Sequence, residues 1–145
     1  MKLPEYVSVD EVRRVCKGLG ISDWTLLTKP EVPEAEAKVV LDQVNVEGMR
    51  IGLQDFRQGL EVELEHGTRY RDANVTNNHP VLTGMIVLAH LKETLDYYQR
   101  IDVAEAEGDL LKALLARDLP KTEAKYRKLV EAQAALNKAI AEQLR

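Results

Sequence analysis

The stretches Glu61-Val-Glu-Leu-Glu-His-Gly67 and His90-Leu-Lys-Glu-Thr-Leu-Asp-Tyr-Tyr98 decide the fold, because each combines a helical apolar repeat with ionisable side chains. A Glu or His inside an apolar stripe requires a partner, since burying an unpaired charge is costly. That partner could be a metal ion, a neighbouring side chain or another subunit. The residues leave these three alternatives open.

Around these stretches, the composition indicates a folded helical protein. The chain has 145 residues, 45% hydrophobic and 30% charged, with a net charge of -4. This size and balance predict one domain, residues 1–145, with a real hydrophobic core. Within it we expect N-terminal helices and an anchor segment at 1–52, a central core at 53–101 and a C-terminal helical hairpin at 102–145. The anchor segment is formed by Trp24, Leu26 and Leu27, which are expected to pack on the bundle.

The pattern of caps and breakers predicts an all-α bundle of about five helices. Ser8-Val-Asp-Glu11 is typical of a capping box that opens the first helix. Glycines between residues 45 and 53 indicate a break there, and Gly67 is placed to end a third helix. A fourth helix begins at Pro80 and extends as far as Leu119, with at most an interruption near Gly108. An amphipathic helix over residues 121–145 follows. It is expected to complete the hairpin with residues 110–119, and the two segments could equally pair between subunits.

Helical periodicity assigns faces to the central residues. At about 100° per residue, Glu63 lies on the flank of a narrow apolar stripe in the third helix. In the fourth helix Glu93 falls on the central stripe and His90 beside it, so Glu93 is expected to be buried. The other members of that stripe are Leu82, Met85, Ile86 and Ala89.

One hypothesis for these residues is a metal site formed by Glu63, His66, His90 and Glu93. Glu63 and His66 have the i, i+3 spacing of metal-binding bundles, and His90 and Glu93 repeat it in reverse. Imidazole and carboxylate together suit Fe, Mn or Zn. A simple antiparallel hairpin nevertheless separates Glu63 from His90 by about 9 Å along the helix axis. An offset permitted by the long loop, or a second subunit, would be needed to bring all four residues together.

The alternative is a buried network of hydrogen bonds and ion pairs. In it, Glu63 or Glu93 pairs with a nearby guanidinium, and His90 and Tyr97 complete the set. The candidate guanidinium groups belong to Arg50, Arg57, Arg69 and Arg71.

The same stretches resemble a small prokaryotic and phage family of helical domains of unknown function. The similarity runs from about Phe56 to Ile101 and includes the Glu-Leu-Glu-His-Gly helix, Asn74-Val-Thr76 and the Ala89-to-Tyr98 helix. A piece around residues 19–24 is similar too. Members tend to have Asp before the proline and Lys after Thr-Gly, where this chain has His79 and Met85. The resemblance implies a shared fold and no mechanism.

Several classes of function are disfavoured by the sequence. The single Cys16 excludes an intramolecular disulfide and a multi-cysteine zinc site. We find no Gly-rich phosphate loop and no nucleophile elbow, which favours a non-catalytic role. A pI near 5.5 argues against nucleic acid, and no apolar run could span a membrane. Without a secretory signal, the cytoplasm is the expected location.

From these observations we expect the protein to be a non-catalytic helical assembly or interaction module that forms a homo-oligomer or binds a protein partner. The alternative is a helical bundle that binds Fe, Mn or Zn through the Glu and His cluster.

Overall fold

The computed structural model describes residues 7–144, which fold into six α-helices without any strand. The all-α prediction is confirmed, with six helices in place of about five. Two short 3₁₀ turns, Trp24–Leu26 and Arg71–Ala73, lie between helices. The helices are α1 (Val9–Leu19), α2 (Glu34–Val44), α3 (Leu53–Arg69), α4 (Pro80–Glu93), α5 (Tyr97–Leu115) and α6 (Leu119–Gln143).

The chain divides into two compact units at Glu93 and Thr94. We call described residues 7–93, with α1 to α4, the N-terminal unit, and residues 94–144, with α5 and α6, the hairpin unit. The single domain expected over residues 1–145 stays a prediction. None of the described helices is long and apolar enough to cross a membrane.

Local capping explains where α1 begins and ends. The Ser8 hydroxyl accepts a hydrogen bond from the Glu11 amide at 3.2 Å, as the sequence predicts. The Glu11 carboxylate binds the Arg14 guanidinium at 2.6 and 2.8 Å. Gly20 adopts φ 70°, a left-handed conformation that favours glycine, and ends the helix.

The core of the N-terminal unit contains the side chains of Trp24, Phe56 and Leu60, each 0% exposed. The Trp24 indole donates a hydrogen bond to the Glu36 carboxylate at 2.8 Å, which satisfies its one polar group. Trp24 is therefore an anchor, as the sequence predicts. Leu26, expected to share that role, is 67% exposed.

The predicted continuous helix from Pro80 to Leu119 is wrong. The chain leaves the helical path at 94–96, where the Asp96 carboxylate accepts hydrogen bonds from Thr94 and Arg100. Such local side-chain bonds compete with helix formation. Gly108 lies inside α5, and no break occurs there.

The predicted inward face of α4 is also wrong. Met85, Ile86, Ala89 and Glu93 are exposed, whereas Thr83, Gly84, Val87 and Leu91 are buried. A Cβ added to Gly84 would lie 2.7 Å from Cγ1 of Val40, so α4 approaches α2 through its smallest residue. Because α4 is apolar nearly all round, periodicity could not select this face.

The hairpin unit is formed by α5 and α6, joined by the short segment 116–118. Asp118 caps α6 by accepting a hydrogen bond from the Lys121 amide at 3.0 Å, and Pro120 lies in the first turn. An ion pair between Lys125 and Asp109 connects the two helices. The predicted C-terminal helical hairpin is confirmed.

Candidate functional site

Glu63 lies between two histidines on the wall of a cleft in the N-terminal unit. Its Oε1 atom is 3.6 Å from Nε2 of His90, and its Oε2 atom is 3.9 Å from Nδ1 of His66. The Glu63 side chain is 14% exposed, against 29% for His90 and 67% for His66. The structure therefore brings together three of the four residues predicted as metal ligands.

The separation of about 9 Å along the helix axis between Glu63 and His90 was expected for a simple antiparallel hairpin, and the two side chains nevertheless meet. That register assumed that α3 ends at His66, but α3 continues to Arg69. The connection over residues 70–79 then allows α4 to take another position along α3. The outcome is the 3.6 Å approach between the Glu63 carboxylate and the His90 imidazole.

Glu93, the fourth predicted ligand, stands apart from this group. It is exposed at the end of α4, and its carboxylate forms no hydrogen bond or ion pair with another described residue. Within residues 7–144, no group of three or more His, Cys, Asp or Glu side chains is arranged to hold a metal ion. The proposed ligand set stays a prediction.

Two of the four arginines considered as partners for Glu63 and Glu93 bind other carboxylates. Arg57 donates a hydrogen bond to Glu61 at 3.1 Å, and Arg69 pairs with Glu65. Glu61 also accepts a hydrogen bond from the Val32 amide at 3.0 Å. Glu61 thereby connects α3 to the segment that precedes α2.

Gly67 was expected to cap α3, and this prediction is wrong. It lies buried within α3, where an added Cβ would be 1.9 Å from Oδ1 of Asn78 and 2.8 Å from Nδ2 of Asn74. Glycine is required at this position because two asparagine side chains pack directly on the helix backbone.

The two asparagines order the loop between α3 and α4. The Asn78 amide donates to Oδ1 of Asn74 at 3.3 Å, and its side-chain Nδ2 donates to the Trp24 carbonyl at 3.2 Å. Asn77 and Asn78 have φ of 49° and 59°, a left-handed conformation that asparagine tolerates better than most residues. The loop is therefore held by specific bonds.

The ordered loop, α3 and α4 enclose a cavity of about 150 Å³ beside Glu63. Thr83 is 3% exposed, and its hydroxyl forms no hydrogen bond with another described residue. Among the described residues that line the cavity, Glu63 carries the negative charge and no Lys or Arg is present. The lining residues are Glu63, Leu64, His66, Gly67, Ala73, Asn74, Val75, Thr76, Asn78, Thr83 and Ile86.

His79 has a structural role at the start of α4. It is 8% exposed, and its Nδ1 atom accepts a hydrogen bond from the Leu82 amide at 3.3 Å. Burial lowers the pKa of His79, and the nearby Glu11 carboxylate opposes this shift. The accepting nitrogen must be unprotonated, so the neutral imidazole supports the helix.

Sequence reasoning missed Asn78 and Thr83 as site residues. Asparagine in a polar loop is ordinarily a turn former, and Thr83 lies on the face of α4 that periodicity did not select. The useful signal was Gly67, because a glycine inside a helix often marks the close approach of another group.

Comparison with known families matches residues 12–107, more than half of the chain, to a family described as "Protein of unknown function (DUF5661)". The match includes the region 56–101, which the sequence analysis identified as similar to a helical family, and it extends beyond that region at both ends. Neither curated proteins nor solved structures gave a match.

Proposed function

The chain belongs to this family of unknown function, and we propose that it is a non-catalytic assembly module that dimerises through the hairpin unit. The observation that carries the proposal is a group of exposed apolar side chains around the turn of the hairpin. Leu115 and Leu119 are 75% and 77% exposed, and Leu111 and Leu114 exceed one half. Exposed apolar groups of this kind mark interaction surfaces.

The apolar group continues along α6, where Tyr126 is 59% exposed and Val130 is 48% exposed. Ala113 and Leu129 are the buried apolar residues nearest the turn. A second pair of helices laid over this surface would bury it in the manner of a four-helix bundle.

Charge complementarity favours a second copy of the chain as the partner. Glu105 and Glu107 are exposed on α5, and Lys121 and Lys128 are exposed on α6. None of the four forms an ion pair with another described residue. In a two-fold dimer the same surface meets itself, so α5 of one copy can lie along α6 of the other. Acidic and basic side chains then face each other across the interface.

Sedimentation velocity tests the proposal with a Leu114→Glu/Leu115→Glu variant. We expect a dimer for the wild-type protein and a monomer for the variant, because each new carboxylate would be buried at the interface. The control is Leu26→Glu/Val46→Glu, which places the same charges on exposed positions of the N-terminal unit and should remain dimeric. A monomeric wild type, or equal dissociation of both variants, would overturn the proposal.

A second candidate is the metal site predicted from the sequence, with Glu63, His66, His90 and Glu93 as ligands of Fe, Mn or Zn. Because these side chains are not arranged around an ion in the structure, binding would require them to move. The placement of the Glu63 carboxylate within 3.6 and 3.9 Å of two imidazoles favours it. Elemental mass spectrometry of untagged protein tests it, beside Glu63→Ala and His90→Ala and the control Glu65→Gln. Stoichiometric metal that is lost in the first two variants and kept in the control supports this function, whereas metal-free wild type refutes it.

The proposals for the cellular location and for the class of partner are based on the sequence alone. A cytoplasmic location is proposed from the single cysteine, which forms no intramolecular disulfide. The net charge of -4 supports a protein partner over nucleic acid.

A further inference from the structure

The cavity beside Glu63 has walls that are fixed before any ligand binds. Asn78 is bonded to the Trp24 carbonyl, and both Asn74 and Asn78 pack against the backbone at Gly67. A pocket whose walls are already held by hydrogen bonds loses little conformational freedom when it is filled. The described residues that line it all belong to the N-terminal unit, and the inference does not depend on dimerisation.

The charge of the wall excludes anions. Glu63 contributes a carboxylate that is 14% exposed, in a part of the protein where water screens its charge only weakly. No Lys or Arg is found among the described lining residues. The His66 imidazole also lines the cavity, and a cationic ligand would compete with His66 and His90 for the Glu63 carboxylate. An anionic ligand would be repelled, and a cationic ligand would be attracted.

The hydroxyl groups add specific hydrogen-bond acceptors. Thr76 and Thr83 line the cavity, and neither hydroxyl forms a hydrogen bond with another described residue. Thr83 is 3% exposed, so little of its side chain meets solvent, and it lines the cavity. Each hydroxyl oxygen has lone pairs for an N–H donor. The lining therefore suits a cation that carries several N–H groups.

Apolar side chains form another part of the lining and limit the size of the ligand. Leu64, Val75 and Ile86 border the cavity, and Val75 and Ile86 are exposed at its mouth. Its volume of about 150 Å³ is comparable to that of engineered cavities that hold benzene. The space therefore accommodates about six non-hydrogen atoms.

From these properties we infer that the cavity binds a small primary ammonium compound with a short alkyl chain. The ammonium group lies at the Glu63 carboxylate and donates hydrogen bonds to the Thr83 hydroxyl. The alkyl chain contacts Val75 and Ile86 toward the mouth. Charge, hydrogen-bond capacity and volume each contribute to this assignment.

The test titrates n-butylammonium into isotopically labelled protein and follows backbone amide shifts. We expect saturable shifts at Thr83, Ile86 and Asn74, with a dissociation constant of about 1 mM, which is typical of a fragment of this size. Glu63→Gln should weaken binding about tenfold or more, since a charge-assisted hydrogen bond is lost. Thr83→Val, which keeps the shape, should weaken it by a smaller factor.

Matched controls separate this inference from general attraction of cations. Glu65→Gln removes an equal charge from the same helix outside the cavity and should leave the affinity unchanged. The neutral probe n-butanol should bind at least about tenfold more weakly. Equal binding of n-butanol, equal affinity of Glu63→Gln, shifts away from the cavity, or no saturable shifts would each overturn the inference.

Discussion

The N-terminal unit and the hairpin unit are both helical, but they use their apolar side chains in opposite ways. In the N-terminal unit, Trp24, Phe56 and Leu60 are fully buried. In the hairpin unit, Leu115 and Leu119 are more than 70% exposed, and the buried apolar side chains are Tyr98, Ala113 and Leu129. Helical content therefore says little about where a core lies. The N-terminal unit buries large apolar side chains in its own core, whereas the hairpin unit leaves many of its large apolar side chains exposed.

Polar groups differ between the units as well. The N-terminal unit buries Asn78, His79 and Thr83 around an internal cavity, where hydrogen bonds order a loop. In the hairpin unit, Asp96 is buried and ion-paired with Arg100, and most of the remaining charges lie on exposed faces. The comparison assigns ligand binding to the N-terminal unit and assembly to the hairpin unit, as separate proposals.

The largest expected effect comes from truncating a core leucine of the N-terminal unit. Leu60→Ala should lower the free energy of unfolding by about 2–5 kcal/mol, because it removes a fully buried side chain and leaves a cavity. Leu144→Ala, at an 83% exposed position of the hairpin unit, should change it by less than about 0.5 kcal/mol. Urea denaturation measures both, and similar losses would contradict the contrast in burial.

Replacing a glycine by alanine should have opposite effects on stability in the two units. Gly84→Ala should destabilise the N-terminal unit by about 1–3 kcal/mol, since the new Cβ would lie 2.7 Å from Val40 and 3.3 Å from Val44. Gly108→Ala meets nothing within 4 Å in α5 and should stabilise that helix by about 0.5–1 kcal/mol. Thermal unfolding should show opposite signs, and equal signs would refute the assigned packing of α4.

Replacing Asp96 should show whether its carboxylate stabilises the start of α5. Its carboxylate accepts two hydrogen bonds from Arg100 at 2.9 Å, and the guanidinium lowers the pKa of Asp96. A lowered folded pKa means that this stability is present above the usual Asp value and is lost as the pH falls through the folded value. Asp96→Asn should cost about 1–3 kcal/mol at neutral pH. Hydrogen exchange at the first turn of α5 should increase, and unchanged protection would contradict this role.

The smallest expected effect is the pH response of His79 in the N-terminal unit. Because burial lowers its folded pKa below the ordinary value of about 6.5, the unfolded chain takes up a proton first as the pH falls. Stability should therefore be complete above pH of about 6.5 and decrease below it. His79→Gln should flatten this dependence in urea titrations at several pH values. The control His66→Gln, at an exposed position, should retain it.

Much of the local structure was predictable because its causes lie within a few residues. The Ser8 cap, the break before Leu53 and the C-terminal hairpin follow from short-range hydrogen bonds and from the placement of Gly and Pro. The break at 94–96 was missed, because the side-chain bonds of Asp96 outweighed the helical pattern around it.

The candidate site was predictable in part. The i, i+3 spacing correctly selected Glu63, His66 and His90 as residues that could meet, but it did not separate them from the exposed Glu93. Asn78 and Thr83 were missed because nothing in their local sequence distinguishes a cavity wall from an ordinary loop or helix.

The all-α fold class, the helix caps and the candidate site residues could be predicted from the sequence, since they depend on local backbone preferences and on periodicity. Tertiary structure alone decided which face of the nearly all-apolar α4 is buried, through the close approach at Gly84. It also decided the register that brings Glu63 to His90 and the packing of Asn78 on Gly67. These outcomes depend on how distant segments pack, and the shape of the partner surface is not encoded in the periodicity of either segment.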